Sequence, residues 1–150
     1  MTSIERNKAL VERYVEMYRT SNLSIADAII AADFVDHSHP EAEPGPAGVK
    51  MMAQQTGGAF TNLSLTVHQL IAERDYVAFH FTLTGVHTGP VGSLAASGRQ
   101  VTIHGIDLFR VVDGMLAELW SYQTTLDMLR QMGYSVAPAE ERYSPACANV

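Results

Sequence analysis

The chain has 150 residues, 47% of them hydrophobic and 17% charged, and 10 Lys+Arg against 16 Asp+Glu leave a formal net charge of −6. That length is one domain of common size, able to bury a core without staples, and an acidic chain with no Lys/Arg cluster excludes phosphate-backbone binding, so no nucleic-acid partner is expected. A single cysteine, Cys147, excludes an intramolecular disulfide and a cysteine-built zinc site. The opening MTSIERNKAL sets Glu5 and Arg6 where a signal peptide needs its apolar stretch. No run approaches the roughly 20 apolar residues of a membrane span. A soluble, cytoplasmic protein with no membrane partner is the expectation.

The first third reads helical. Ser3 is placed to cap a helix whose Leu10, Tyr14, Met17 and Tyr18 form one apolar stripe, ending near Ser21-Asn22. A second short helix starts at Ser24, with Ile25, Ile29 and Ala32 inward. Asp33 to Pro46, rich in proline, histidine and acids, reads as a loop, and Pro46 suits the first position of a third helix reaching about Phe60. Beyond Asn62 the period changes to two. Leu63, Leu65 and Val67 mark one strand and Val77, Phe79, Phe81 and Leu83 a second. Thr88 to Gly98 reads as a long loop. Arg99–Val112 and Met115–Gln123 are two more strands, joined by Asp113-Gly114, a strong hairpin signal. Thr124 to Met132 is a last helix stopped by Gly133. Residues 1–137 are expected to form the domain and 138–150 a loosely held tail. Helices followed by an antiparallel meander make an α+β fold, in which one sheet face curls around the helices as a cone open at one end. The uncovered face is left for a second copy, so a homodimer is expected.

The stretches NKALVERYVEMYRTSNLSIADAIIAADFVDHSHP, PGPAGVK and GVHTGPVGSLAASGRQVTIHGIDLFRVVDGMLAELW, in that order, resemble the SnoaL-like polyketide cyclases of the nuclear-transport-factor-two-like superfamily, over roughly Asn7 to Gly133. The resemblance implies a conical barrel of curved antiparallel sheet around N-terminal helices, commonly a dimer, holding a polycyclic or polyketide-derived ligand. It also implies an aldol ring closure served by an Asp directly after a Trp. Here Glu118-Leu119-Trp120-Ser121 stands in that stretch, so Ser121 occupies the Asp position and Leu119 the position of a His, while Asp107 takes the place of a pocket His. A hydroxyl without a neighbouring base cannot inherit the Asp role.

Asp107 is therefore the principal catalytic candidate. It shares a strand face with Ile103, Gly105 and Phe109, and the Asp113-Gly114 turn brings it near residue 120 or 121. A carboxyl on an apolar face is desolvated, and its pKa rises towards neutrality. The alternative is that Asp107 faces outward in a structural ion pair. His37, after Asp36, is the second candidate, a proton shuttle at the pocket mouth, against a purely loop-closing role. His39 is read as solvent-exposed; Asp36, His37 and His39 offer no fourth ligand, so no metal is expected. His68, His80 and His104 fall on the opposite sheet face from Asp107.

Tyr14 and Tyr18, one turn apart, suit contacts to ligand carbonyls, and Phe34, Met51, Gln55, Phe81, Trp120, Ser121 and Gln123 complete the expected substrate-binding set. Phosphate loop, Rossmann fingerprint and nucleophile elbow are missing from the sequence, so no cofactor is implied. The expected function is a cofactor-independent cyclase of secondary, antibiotic-type metabolism acting by acid/base catalysis on an apolar polycarbonyl. Hydroxylation, ring opening, dehydration or isomerisation in the same pocket, or a non-catalytic small-molecule-binding dimer module, are the alternatives.

Overall fold

The computed structural model describes residues 1–139, so most of the expected tail 138–150, with Cys147, lies outside the described residues. Helix α1 spans Ser3–Thr20, and its cap is Thr2 rather than Ser3. Glu5 lies three residues after Thr2, so Thr2 can complete a capping box: the Thr2 hydroxyl accepts from Glu5 N at 3.2 Å and the Glu5 carboxylate accepts from Thr2 N at 2.5 Å. The following elements are α2 (Ile25–Ile29), β1 (Ile30–Asp36), α3 (Pro46–Ala59), β2 (Phe60–Glu73), β3 (Tyr76–His87), β4 (Gln100–Val112), β5 (Met115–Gln123) and α4 (Thr125–Gln131).

The five strands form one open sheet in the order β1-β5-β4-β3-β2. The expected antiparallel meander is present as β2 to β5, but β1 pairs parallel with β5 at the edge, so the sheet is mixed. This strand falls where the sequence reads as the end of a helix and a loop. Its two buried residues, Ile30 and Phe34, stand four apart, a helical spacing. The cause is a register shift between Ile30 and Val35 that breaks the alternation of the strand.

Alternation elsewhere decides which side is inside. In β4 the odd residues Val101, Ile103, Gly105, Asp107, Phe109 and Val111 are all buried. Phe109 and Val111 pack with Val11, Tyr14, Val15 and Met17 of α1 and with Phe79, Phe34 and Leu116 in one core, while Val101 and Ile103 join a second cluster with Ala59, Phe60 and Met132. Gly105 has a local reason to lack a side chain, because a Cβ there would lie 2.6 Å from the Phe81 ring. The β4–β5 turn is of type I′, with Asp113 at φ 49° and Gly114 at φ 75°, both left-handed. It sets Val112 opposite Met115, and a bulge between Arg110 and Val111 then moves the pairing by one, so that Asp107 faces Ser121 and Leu108 faces Trp120. Leu116 and Ala117 are consecutive and both buried at that bulge.

The outer face of the sheet carries rows set by the register. One row is Ile71, Ala78, Leu108 and Trp120, and the next is Gln69, His80, Ile106 and Tyr122. His68 and His104 lie on this face too, each hydrogen-bonded to the Thr82 hydroxyl, at 2.7 and 3.0 Å.

The loop 88–98 is pinned by His87, which is fully buried. Ser97 N donates to His87 Nδ1 at 3.1 Å, and Gly98 N donates to the His87 carbonyl at 2.8 Å. Replacing His87 by Phe keeps a planar ring, slightly enlarged, and removes the acceptor. It should cost roughly 1–3 kcal/mol, read as a lower urea midpoint at unchanged slope.

Candidate active site

Between α1, α3 and the inner sheet face lies a cavity of about 660 Å³. That is the size of a pocket for a drug-sized molecule. Its floor is aromatic: Phe79 and Phe81 have ring centroids 5.1 Å apart, and Tyr14 meets Phe79 edge-on at 6.4 Å. Helix α3 contributes Val49, Met52, Gln55 and Thr56 at helical spacing, and the 88–98 loop contributes Pro90, Val91 and Gly92.

Eight of the residues expected from sequence line this cavity: Tyr14, Tyr18, Phe34, Gln55, Phe81, Asp107, Ser121 and Gln123. Three do not. Met51 lies off the inward stripe of α3 and is 44% exposed, and its neighbour Met52 faces the cavity instead. Trp120 is consecutive with Ser121, and in a strand the two cannot share a face. His37 stands just past the end of β1 with its ring stacked on Trp120 at 4.6 Å and 10°. Its Nε2 is 3.0 Å from Glu118 Oε1, and Glu118 also takes the Arg110 guanidinium. The residue from that segment that does reach the cavity is His39, read from sequence as exposed, together with Asp36. A signal for this existed. Ser38 N donates to Asp36 Oδ1 at 2.9 Å, an Asx turn, and His39 N donates to the Asp36 carbonyl at 3.2 Å. An Asp with Ser two positions on marks such a turn, which folds the third residue back.

Asp107 is 5% exposed, and its Oδ1 has no hydrogen-bond partner among the described residues. Burial raises its pKa from the ordinary 3.8 to about 7, the Asp36 charge adding to the rise while the Ser121 hydroxyl and His39 oppose it. Ser121 is itself held. Gln123 Nε2 donates to its hydroxyl at 3.1 Å, and its backbone is bridged by Ser38, whose hydroxyl accepts from Ser121 N at 2.7 Å. The Tyr14 and Tyr18 hydroxyls lie 3.4 Å apart. Burial pushes the Tyr14 phenol well above its ordinary value, and burial likewise brings Tyr18 to about 12. Both stay protonated, so both remain hydrogen-bond donors at any working pH.

A mixed sheet covered by helices over one cavity, with the buried Asp107 carboxyl and two phenols in its lining, is a fold of α+β class built around a pocket. The sequence profile of the SnoaL-like polyketide cyclases matches residues 8–132, and the chain belongs to that family. TsrD from Streptomyces laurentii superposes with a TM-score of 0.82 at 26% identity, over 89% of this chain and 98% of its own. AclR from Streptomyces galilaeus, a presumptive hydroxylase, gives a TM-score of 0.75 at 28% identity, over 87% of this chain and 98% of its own. An LEH-like epoxide hydrolase of M. tuberculosis shares the fold at 14% identity and a TM-score of 0.67, over 87% of this chain and 92% of its own. No curated protein sequence matches the chain. No helix among the described residues is long and apolar enough to cross a membrane.

Proposed function

We propose that the chain is a cofactor-independent enzyme of secondary, antibiotic-type metabolism that cyclises an apolar polycarbonyl by proton transfer, with Asp107 as its acid/base. One observation carries the reading: a buried carboxyl with an unpartnered oxygen, held near pKa 7, in a cavity floored by aromatic rings. A group titrating there is available in both states at neutral pH, the condition for efficient proton transfer. The aromatic floor holds the chain folded, which lowers the barrier by orientation, while the phenols of Tyr14 and Tyr18 supply donors to ligand carbonyls. Family membership supports the substrate class. The test is turnover of aromatic polyketide intermediates, with loss of ring closure in Asp107→Asn; full activity of that variant on an identified substrate sinks the assignment.

Ser121 at the family's Asp position favours a second reading, a changed reaction in the same cavity. The 28% identity to AclR makes hydroxylation the form to assay first. In either reaction Ser121 tunes its partner. Removing its hydroxyl in Ser121→Ala takes away a contact that lowers the Asp107 pKa, so the pH at which Asp107 ionises should rise. The limiting rate should stay within a few-fold. An NMR titration and a pH–rate profile check both, and a loss of roughly 10²-fold would instead give Ser121 a direct part in the chemistry.

The enzyme works, in this reading, as a cytoplasmic homodimer packed through the outer sheet face. Ile106 and Tyr122 are 50% and 70% exposed there, beside the half-buried Trp120. Apolar rows on a sheet face are what a second copy would cover. Tyr122→Glu should then halve the mass seen by light scattering at micromolar concentration. A monomeric wild type would contradict the dimer.

A further inference from the structure

The turn after β1 carries a second pair of chemistry-bearing groups that the reaction scheme above does not use. His39 Nδ1 lies 2.8 Å from Asp36 Oδ2, with the Asp36 side chain only 11% exposed and the His39 ring 36% exposed. The other Asp36 oxygen is engaged by Ser38 N at 2.9 Å, so the carboxylate is fixed at both ends. A carboxylate oxygen only accepts, which places the ring hydrogen on Nδ1 and leaves a lone pair on Nε2. Nε2 has no hydrogen-bond partner among the described residues, and His39, Asp36 and Asp107 all line the same cavity.

The sheet sets their separation. Asp36 stands beside Leu119, and Asp107 stands beside Ser121, on the two strands flanking β5. Two strand spacings across and two residues along β5 put their backbones about 12 Å apart on the wall, room for one reacting unit between the side chains. The groups sense one another, since the ionisation of Asp107 is pushed up by Asp36 and down by His39.

We propose that His39, oriented by Asp36, is a second catalytic residue of this cavity and exchanges protons with the ligand opposite Asp107; the proposal rests on the reading of Asp107 given above. For a ketone held between them, Nε2 takes the α-proton and the C–H pair becomes the C=C bond of the enol. The carbonyl oxygen meanwhile receives the proton of neutral Asp107. When the enol carbon bonds to a second carbonyl carbon, that oxygen takes the proton from the imidazolium. The enol O–H returns its proton to the Asp107 carboxylate, and both residues end as they began. A single carboxyl would have to do both jobs in sequence; an opposed pair does them at one pH. Asp36 is a positioning residue, holding the tautomer and the ring plane.

The experiment uses 1-tetralone as probe and follows deuterium entry at its α-carbon in D₂O by NMR. Wild type should accelerate exchange, and Asp107→Asn should lose roughly 10²-fold or more. His39→Gln should lose about 10-fold or more in kcat at unchanged KM and with a thermal midpoint close to that of wild type. Asp36→Asn should lose less, and its ¹⁵N spectrum should show the His39 hydrogen redistributed between the two ring nitrogens. Exchange in His39→Gln as fast as wild type, with Asp107→Asn inactive, overturns the role of His39 and leaves that of Asp107 standing. A loss in His37→Gln in place of His39→Gln overturns it as well. Equal rates in wild type and Asp107→Asn overturn both. The ¹⁵N shifts of His39 in wild type give a check that needs no catalysis: hydrogen on Nε2 would contradict the geometry of the pair.

Discussion

Asp107→Asn should lower kcat by roughly 10²–10⁴-fold with little change in ligand affinity, because the amide keeps the shape of the carboxyl and loses its titration. The same substitution should make the protein more stable at alkaline pH. In the folded chain the carboxyl holds its proton up to about pH 7, against an ordinary value of 3.8. Between those values the native state binds a proton that the unfolded chain has released, so wild-type stability falls as pH rises through the window. Above it the buried charge costs on the order of 4 kcal/mol, a cost the amide does not carry. Paired unfolding curves should therefore separate at pH 8, with the variant more stable, and converge near pH 4. Curves that stay parallel from pH 4 to pH 8 would mean that Asp107 is not held in the protonated form by burial.

Phe109→Ala should be the most damaging single truncation in the core, costing about 3–5 kcal/mol. Phe109 is fully buried, stacks parallel to Phe79 at 6.2 Å and meets Tyr14 edge-on at 4.9 Å. It stands two residues from Asp107 on the same strand face, so the void would open directly behind the cavity floor. The loss should appear as a lower urea midpoint, and ligand binding should weaken as Tyr14 loses its seat. A cost under 1 kcal/mol would show that the aromatic cluster repacks.

Much of this arrangement is legible from the chain alone. Strand β4 alternates without interruption and Asp113-Gly114 fixes the turn after it, which is why parity puts Asp107 on the face of Val101 and Phe109. The SnoaL-like resemblance points to an α+β fold with one curved sheet and helices on one face, and the family match and the five-stranded α+β architecture bear out the family and the class. Strand β1 was not legible, because its buried residues are spaced four apart by a register shift. A ligand contact for Trp120 as well as Ser121 conflicts with strand geometry, because consecutive strand residues face opposite ways; the bulge decides between them. His39 was hidden for another reason. Its direction depends on three hydrogen bonds in a turn, made by Asp36, Ser38 and the backbone, and no periodicity reports a turn.

The bulge at the base of β5 has a consequence for how this wall can change over time. A strand is read in steps of two, so inserting one residue between the turn and Leu119 sets the frame for everything beyond it. Deleting Ala117 would restore the uninterrupted count. Glu118 would then follow Leu116 directly and still pair with Arg110, so Ser121 would stay opposite Asp107 and Trp120 would stay on the outer face. Substitutions along β5 alter the lining one position at a time, whereas a residue gained beyond Glu118 without a second bulge would set Trp120 opposite Asp107 and exchange the wall for the outer face in one event. The register of this hairpin is therefore as much a part of the site as any side chain in it, and lineages that retain the chemistry should tolerate loss of the bulge residue but not a residue gained beyond it.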